Sequence, residues 1–221
     1  MRIFKFNLVY QEMPKFKFYT LWLALICVVF FIFQLIIPGF TDSLILNQQS
    51  FFQPWRFITA IFLHGSLQHI VFNLFALILF GLILEKLIGS KRFLVVFFST
   101  GIIANIISVN FYSSSLGASG AIMGIIGTLT IIRPGMTVLA FSLPMPMFLA
   151  AIIWAVGDVL GIFYPTGTGN IAHLSGLAIG LILGIIFRLK HKEKQTLRAD
   201  YARINIPESY MRDWEDKFMR K

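Results

Sequence analysis

Residues 116–132 read LGASGAIMGIIGTLTII, and this stretch decides how the rest of the chain must fold. It carries no charge, and it is punctuated by Gly117, Gly120, Gly124 and Gly127. Glycines at such spacing let helix backbones approach closely. At 17 residues it lies at the short end of what crosses a bilayer, and Arg133-Pro134-Gly135 stops it. A helix with so little side-chain bulk belongs inside a bundle, and Ser119 stands at its start.

Five further apolar segments flank it. They are Tyr19–Ile37, Leu67–Leu84, Phe93–Phe111, a stretch within Val138–Tyr164 starting near Pro146, and Ile171–Leu189. Hydrophobic residues make up 57% of the 221 and charged residues 13%, against roughly 25% charged in a soluble domain. The chain therefore lacks the polar surface of a soluble protein. The net charge of +9 does not mark a nucleic-acid groove, because Lys and Arg gather near Arg2–Lys17 and from Arg188 onward. With the N-terminus in the cytoplasm, 18 of the 19 basic residues fall on the cytoplasmic side, Arg56 being the exception.

The expected architecture is an all-α integral membrane protein of six transmembrane helices with both termini cytoplasmic. Residues 1–18 form a cytoplasmic N-terminal segment with no cleavage site, 19–189 the core, and 190–221 a cytoplasmic tail. The aromatic loop Pro38–Ser66 is expected to form short structure in the outer interface. Within the tail, Ser209–Lys221 has acids early and bases late, which suits a short helix. It either binds anionic inner-leaflet lipid or stays solvated. Cys27 has no possible intramolecular partner and reads as a buried thiol. Four histidines, one cysteine and no HExxH predict no metal, and no cofactor is expected.

Polar groups inside a membrane are costly and call for a reason. Those in this chain are His69 and Asn73 in the second segment, Ser119 in the fourth and His173 in the sixth. The alternating topology puts all four near the outer face. His69 and Asn73 are spaced i, i+4 on one helix face. His173, Gly176, Gly180 and Gly184 share another. Glycine-rich faces on the fourth and sixth segments are expected to touch through Gly120, Gly124, Gly176 and Gly180, bringing Ser119 beside His173. A serine needs a base, a histidine is the usual one, and the intermediate's oxyanion needs donors. His69, Asn73 and the Ser119 N–H supply them, with Gly117 in support. No acid stands at a useful place along the sequence from His173, so a Ser–His dyad is expected. His64 reads as a support of the loop or of the oxyanion site, a structural role being favoured, and Asp158 as a group with a local hydrogen-bond partner.

The motifs are more specific than the spacing. Gly117-Ala118-Ser119-Gly120 with Gly124 resembles the rhomboid GxSGxxxG motif. His69 to Asn73 resembles the family's HxxxN, and Ala172-His173 with Gly176 and Gly180 its AHxxGxxxG. Trp55-Arg56 resembles its WR pair, and Glu85–Ser90 the turn after its second helix. In this resemblance Met123 stands where an aromatic residue often packs on the histidine. The resemblance implies an intramembrane serine protease that cleaves transmembrane segments of other proteins near their outer end. Its partners would be those substrates, admitted between the second and fifth helices, and membrane lipid. A prokaryotic cell membrane is the expected setting. An inactive client-binding relative would lack the serine or the histidine. A small transporter would show midplane polar residues and an internal repeat.

Overall fold

The computed structural model describes residues 16–140, 143–164 and 168–203, with 209, 212, 213, 216 and 217. Most of the expected N-terminal segment, and most of the expected helix Ser209–Lys221, lie outside the described residues. In chain order the elements are α1 (Tyr19–Ile36), α2 (Phe40–Leu44), β1 (Leu46–Asn47), a 3₁₀ turn (Gln48–Phe51), α3 (Arg56–Thr59), a second 3₁₀ turn (Ala60–Phe62), α4 (Leu67–Ile88), α5 (Ser90–Ser108), β2 (Ser114–Ser115), α6 (Ser119–Ile132), β3 (Thr137–Ala140), β4 (Leu143–Pro146), α7 (Met147–Phe163) and α8 (Asn170–Arg203). The chain divides into two compact units, residues 1–185 and 186–221.

Among the described residues, four helices are long and apolar enough to cross a membrane: α1, α4, α5 and the Asn170–Lys190 part of α8. Helices α6 and α7 are shorter apolar helices. Large apolar side chains stay exposed in the protein, among them Trp22 and Leu35 on α1, Phe72 and Phe75 on α4, and Ile152, Val156 and Leu160 on α7. Apolar surface on that scale belongs against lipid. The chain is an integral membrane protein.

Several boundaries differ from the sequence expectation. The connection expected over Glu85–Arg92 is almost absent, because α4 continues to Ile88 and α5 starts at Ser90. Gly89 alone turns the chain, at φ 84°, a conformation that favours glycine. Helix α6 begins at Ser119 and not at Leu116, since Gly117 sits at φ 126°. Helix α8 runs on past Leu189 to Arg203. The all-α expectation is too narrow by two short antiparallel pairings. Leu46 and Asn47 pair with Ser115 and Ser114, and Thr137–Ala140 pairs with Leu143–Pro146.

Within residues 1–185, Glu85 clamps three helices at one end of the bundle. It is fully buried. Its carboxylate accepts from the Tyr19 N–H at 2.9 Å, the Thr20 N–H at 3.0 Å, the Thr20 hydroxyl at 2.8 Å and the Ser90 hydroxyl at 2.6 Å. Ser90 Oγ in turn accepts from the Lys17 N–H. The α1 amides in this set precede the helical hydrogen-bond ladder and need outside acceptors. Gly81 gives Thr20 its room, for a β-carbon there would lie 2.7 Å from Thr20 Cγ2.

At the other end, Arg56 braces the loop between α1 and α4. It is 5% exposed, and it donates to the carbonyls of Asp42 and Ile45 at 2.8 Å each and to Gln53 Oε1 at 2.6 Å. The exception to the charge bias is thus a buried brace. Replacing Glu85 by alanine should orphan several buried donors. The expected loss is about 2–4 kcal/mol, at roughly 1–3 kcal/mol per unsatisfied group after partial relaxation. A thermal melt in detergent checks this; an unchanged midpoint would mean the clamp adds nothing.

Candidate active site

Helices α6 and α8 meet without side chains between them. A β-carbon on Gly176 would overlap the Gly120 carbonyl, and one on Gly180 the Gly124 carbonyl. One on Gly184 would lie 3.0 Å from the Thr128 carbonyl. Pairs that advance together along both helices make α6 and α8 parallel, so Ser119 and His173 lie at the same end. Thr128 Oγ1 ties the seam by donating to the Gly180 carbonyl at 3.0 Å. Ser119 and His173 each stand one residue from the contact between Gly120 and the Ala172 carbonyl, where an added β-carbon would lie at 3.5 Å. Ser119 Oγ makes no hydrogen bond to His173 among the described residues.

Helix α4 brings His69 to the same place. A β-carbon on Gly117 would lie 2.9 Å from His69 Nε2 and 3.9 Å from Ser119 Oγ. Gly117 therefore keeps open the space that the imidazole and the hydroxyl share. Its own N–H donates to the Ala60 carbonyl at 2.9 Å and is not available to a ligand. His69 Nδ1 accepts from the Gly65 N–H at 3.3 Å. In the neutral ring that puts the proton on Nε2, the nitrogen nearer Gly117 and Ser119. Asn73 Nδ2 donates to the His69 carbonyl at 2.8 Å, holding it one turn along α4 with one amide proton left over. The first bond of the α6 ladder joins the Ile122 N–H to the Ala118 carbonyl. The N–H groups of Ser119, Gly120 and Ala121 thus precede the ladder, at the positive end of the helix dipole.

The expectation that no acid serves His173 does not hold. Asp158 Oδ1, on α7, lies 2.9 Å from His173 Nδ1, and both side chains are largely buried. The pair is 15 residues apart across the α7–α8 turn. No sequence pattern reports it, because it depends on the register of two antiparallel helices.

His64 sits beside His69, ring centroids 5.1 Å apart. It is 1% exposed, with Nδ1 3.2 Å from the Phe62 carbonyl and Nε2 without a partner. Burial, and then the neighbouring His69, push its pKa down to about 4. It is held neutral and structural.

A profile of the Rhomboid domain matches residues 52–190. The chain belongs to the rhomboid family. It is 31% identical over 180 residues to the rhomboid protease GlpG of Haemophilus influenzae, covering 76% of this chain and 89% of that one. It is 33% identical over 148 residues to the mitochondrial RHOMBOID-like protein 6 of Arabidopsis thaliana, covering 62% of this chain and 45% of the other. It is 28% identical over 172 residues to the rhomboid protease GlpG of Yersinia pestis, 74% of this chain and 60% of that protein. The chain thus spans less than two thirds of the length of some of these relatives.

Two predictions follow from the seam and from His64. The spacing argument makes Gly180→Ala a mild change beside Gly180→Leu. The structure leaves no room even for one methyl, so folded Gly180→Ala should already lose activity by about 10²-fold, the effect of a misplacement near 1 Å. Single-turnover cleavage by protein of verified fold measures it. For His64, the folded pKa lies below the ordinary value of 6.5, so the folded state binds fewer protons. Stability is full above 6.5 and should fall as pH drops toward 4, by at most about 3 kcal/mol. Melting curves across that range should slope less in His64→Gln; parallel slopes would assign the loss to other groups.

Proposed function

We propose that this rhomboid-family protein cleaves transmembrane segments of other membrane proteins near their outer end, with Ser119 as nucleophile and His173 as general base. The observation that carries the reading is the convergence at one end of the bundle. Ser119 opens α6, His69 reaches it from α4 across Gly117, and His173 follows the Ala172 backbone pressed on Gly120.

Ser119 Oγ attacks the scissile carbonyl carbon, its proton passes to His173 Nε2, and the carbonyl electron pair moves onto oxygen. That oxyanion is met by the Ser119 N–H, the His69 Nε2–H and the Asn73 amide. Collapse breaks the C–N bond, and the proton on His173 goes to the leaving amine. Water, deprotonated by the same imidazole, then adds to the acyl carbon, the ester bond to Ser119 Oγ breaks, and His173 returns the proton to Ser119 Oγ. Preorganised donors in a site screened from bulk water account for the largest share of such acceleration.

In this proposal the six apolar helices α1, α4, α5, α6, α7 and α8 all span, with both termini cytoplasmic. Residues 19–189 form the catalytic core between the segments 1–18 and 190–221. Substrates enter between α4 and α7, and lipid covers the exposed apolar faces. The protein resides in a prokaryotic cell membrane. Phe80 and Trp154 make a ring contact between α4 and α7, at 5.8 Å, further along α4 than His69.

The test is twofold. Wild-type protein in detergent should be labelled by a fluorophosphonate probe and should cut a single-span test substrate. Ser119→Ala and His173→Ala should each abolish cleavage, and their double variant should be no worse, because the pair acts as one unit. Cleavage at the wild-type position by purified Ser119→Ala would sink the mechanism.

A further inference from the structure

We propose that Asp158 is a positioning residue for His173, holding its imidazole with the proton on Nδ1 so that Nε2 faces Ser119 as the proton acceptor. The inference rests on the reading of Ser119 and His173 as nucleophile and base, and adds to that pair an acid that orients the histidine.

Three observations carry it. First, the contact uses the right nitrogen. Asp158 Oδ1 lies 2.9 Å from Nδ1, which leaves Nε2 uncommitted. A neutral histidine that donates from Nδ1 can only accept at Nε2. Second, the contact is held in register. Three residues further along α7, a β-carbon on Gly161 would lie 2.8 Å from Asn170 Cγ, and Asn170 stands three residues before His173. The two contacts advance in opposite directions on α7 and α8, as one antiparallel seam does. Gly161 lets the start of α8 press on α7, and that closeness sets the distance from Asp158 to His173. The Tyr112 hydroxyl fixes the same turn of α8 by accepting from the Ile171 N–H at 3.0 Å. Third, a carboxylate here has little other reason to exist. Asp158 is the sole charged residue of α7 and is 8% exposed. An acid in an apolar helix is costly unless it is paired. Among the described residues, His173 is the side chain that pairs with it.

The arrangement does two things for the reaction. It selects the tautomer that can take the Ser119 proton. It also places the Asp158 side chain against the imidazolium that this transfer creates. Met123 occupies the position where the family resemblance expects an aromatic ring on the histidine.

The test uses full-length protein in detergent, labelled with isotope-enriched histidine, and cleavage of the single-span test substrate. Ring-nitrogen resonances should report the Nδ1–H tautomer for His173 in the wild type and the Nε2–H tautomer in Asp158→Asn, whose amide donates where the carboxylate accepted. In Asp158→Asn, kcat should fall about 10²-fold or more with KM little changed, since loss of a triad aspartate costs up to about 10⁴. Either a wild-type His173 with its proton on Nε2 or a folded Asp158→Asn with wild-type kcat overturns the proposal. The wild-type tautomer decides even if the variant does not fold. Ser119→Ala run in parallel separates the two readings. If it is inactive while Asp158→Asn is unimpaired, only the role of Asp158 falls; if it still cleaves, the serine mechanism falls first.

Discussion

The contact of α6 with α8, backbone on backbone, is the constraint on which the rest of the structure depends. At Gly120–Gly176 and Gly124–Gly180 there is no side chain on either helix to adjust the separation. Inside lipid such seams are held by close packing, since lipid tails are as apolar as the helices they surround. A seam of this kind is either closed or broken. Because it is parallel, it carries Ser119 and His173 to one end of the bundle. Helix α5 supports α6 from another side, where Thr100 and Ala104 approach Gly124 and Gly120.

The two ends of the bundle solve different polar problems. At one end Glu85 gathers four donors from α1 and Ser90, and every bond serves packing. At the other, His69, Asn73, Ser119 and His173 leave donors or acceptors open: the Ser119 N–H before the ladder, the His69 Nε2–H, and the second proton of the Asn73 amide. Saturated polar groups stabilise a fold, while groups held in place with capacity to spare can act on a ligand. Local bonds that fix the open groups, such as Gly65 N–H to His69 Nδ1, belong to the first kind and make the second possible.

Much of this was legible in the sequence. Lipid imposes a length on every spanning helix, so the apolar segments stand out. Alternation of direction then places residues 69, 119 and 173 at one end. Glycine spacing marks the α6–α8 faces because only glycine permits the approach. Other features follow from relations that no periodicity encodes. The Asp158–His173 pair depends on the relative slide of two helices. The pairing of Leu46 and Asn47 with Ser115 and Ser114 is two residues long and unmarked by alternation. The abrupt turn at Gly89 was hidden because Glu85, which looks like a loop residue, is a buried helical one.

Arg56 illustrates a wider point about how a buried charge is held. Among the described residues its guanidinium donates to two carbonyls and an amide oxygen and pairs with no anion. Added salt competes with ion pairs between exposed charges, but it has no counter-charge to displace here. The brace therefore rests on no exposed ion pair that added salt could screen. It also depends on shape: a planar fork reaches partners in several directions at once, while an ammonium group on a flexible stem presents a point charge. The cation serves this loop as a joint whose angles are set by covalent geometry.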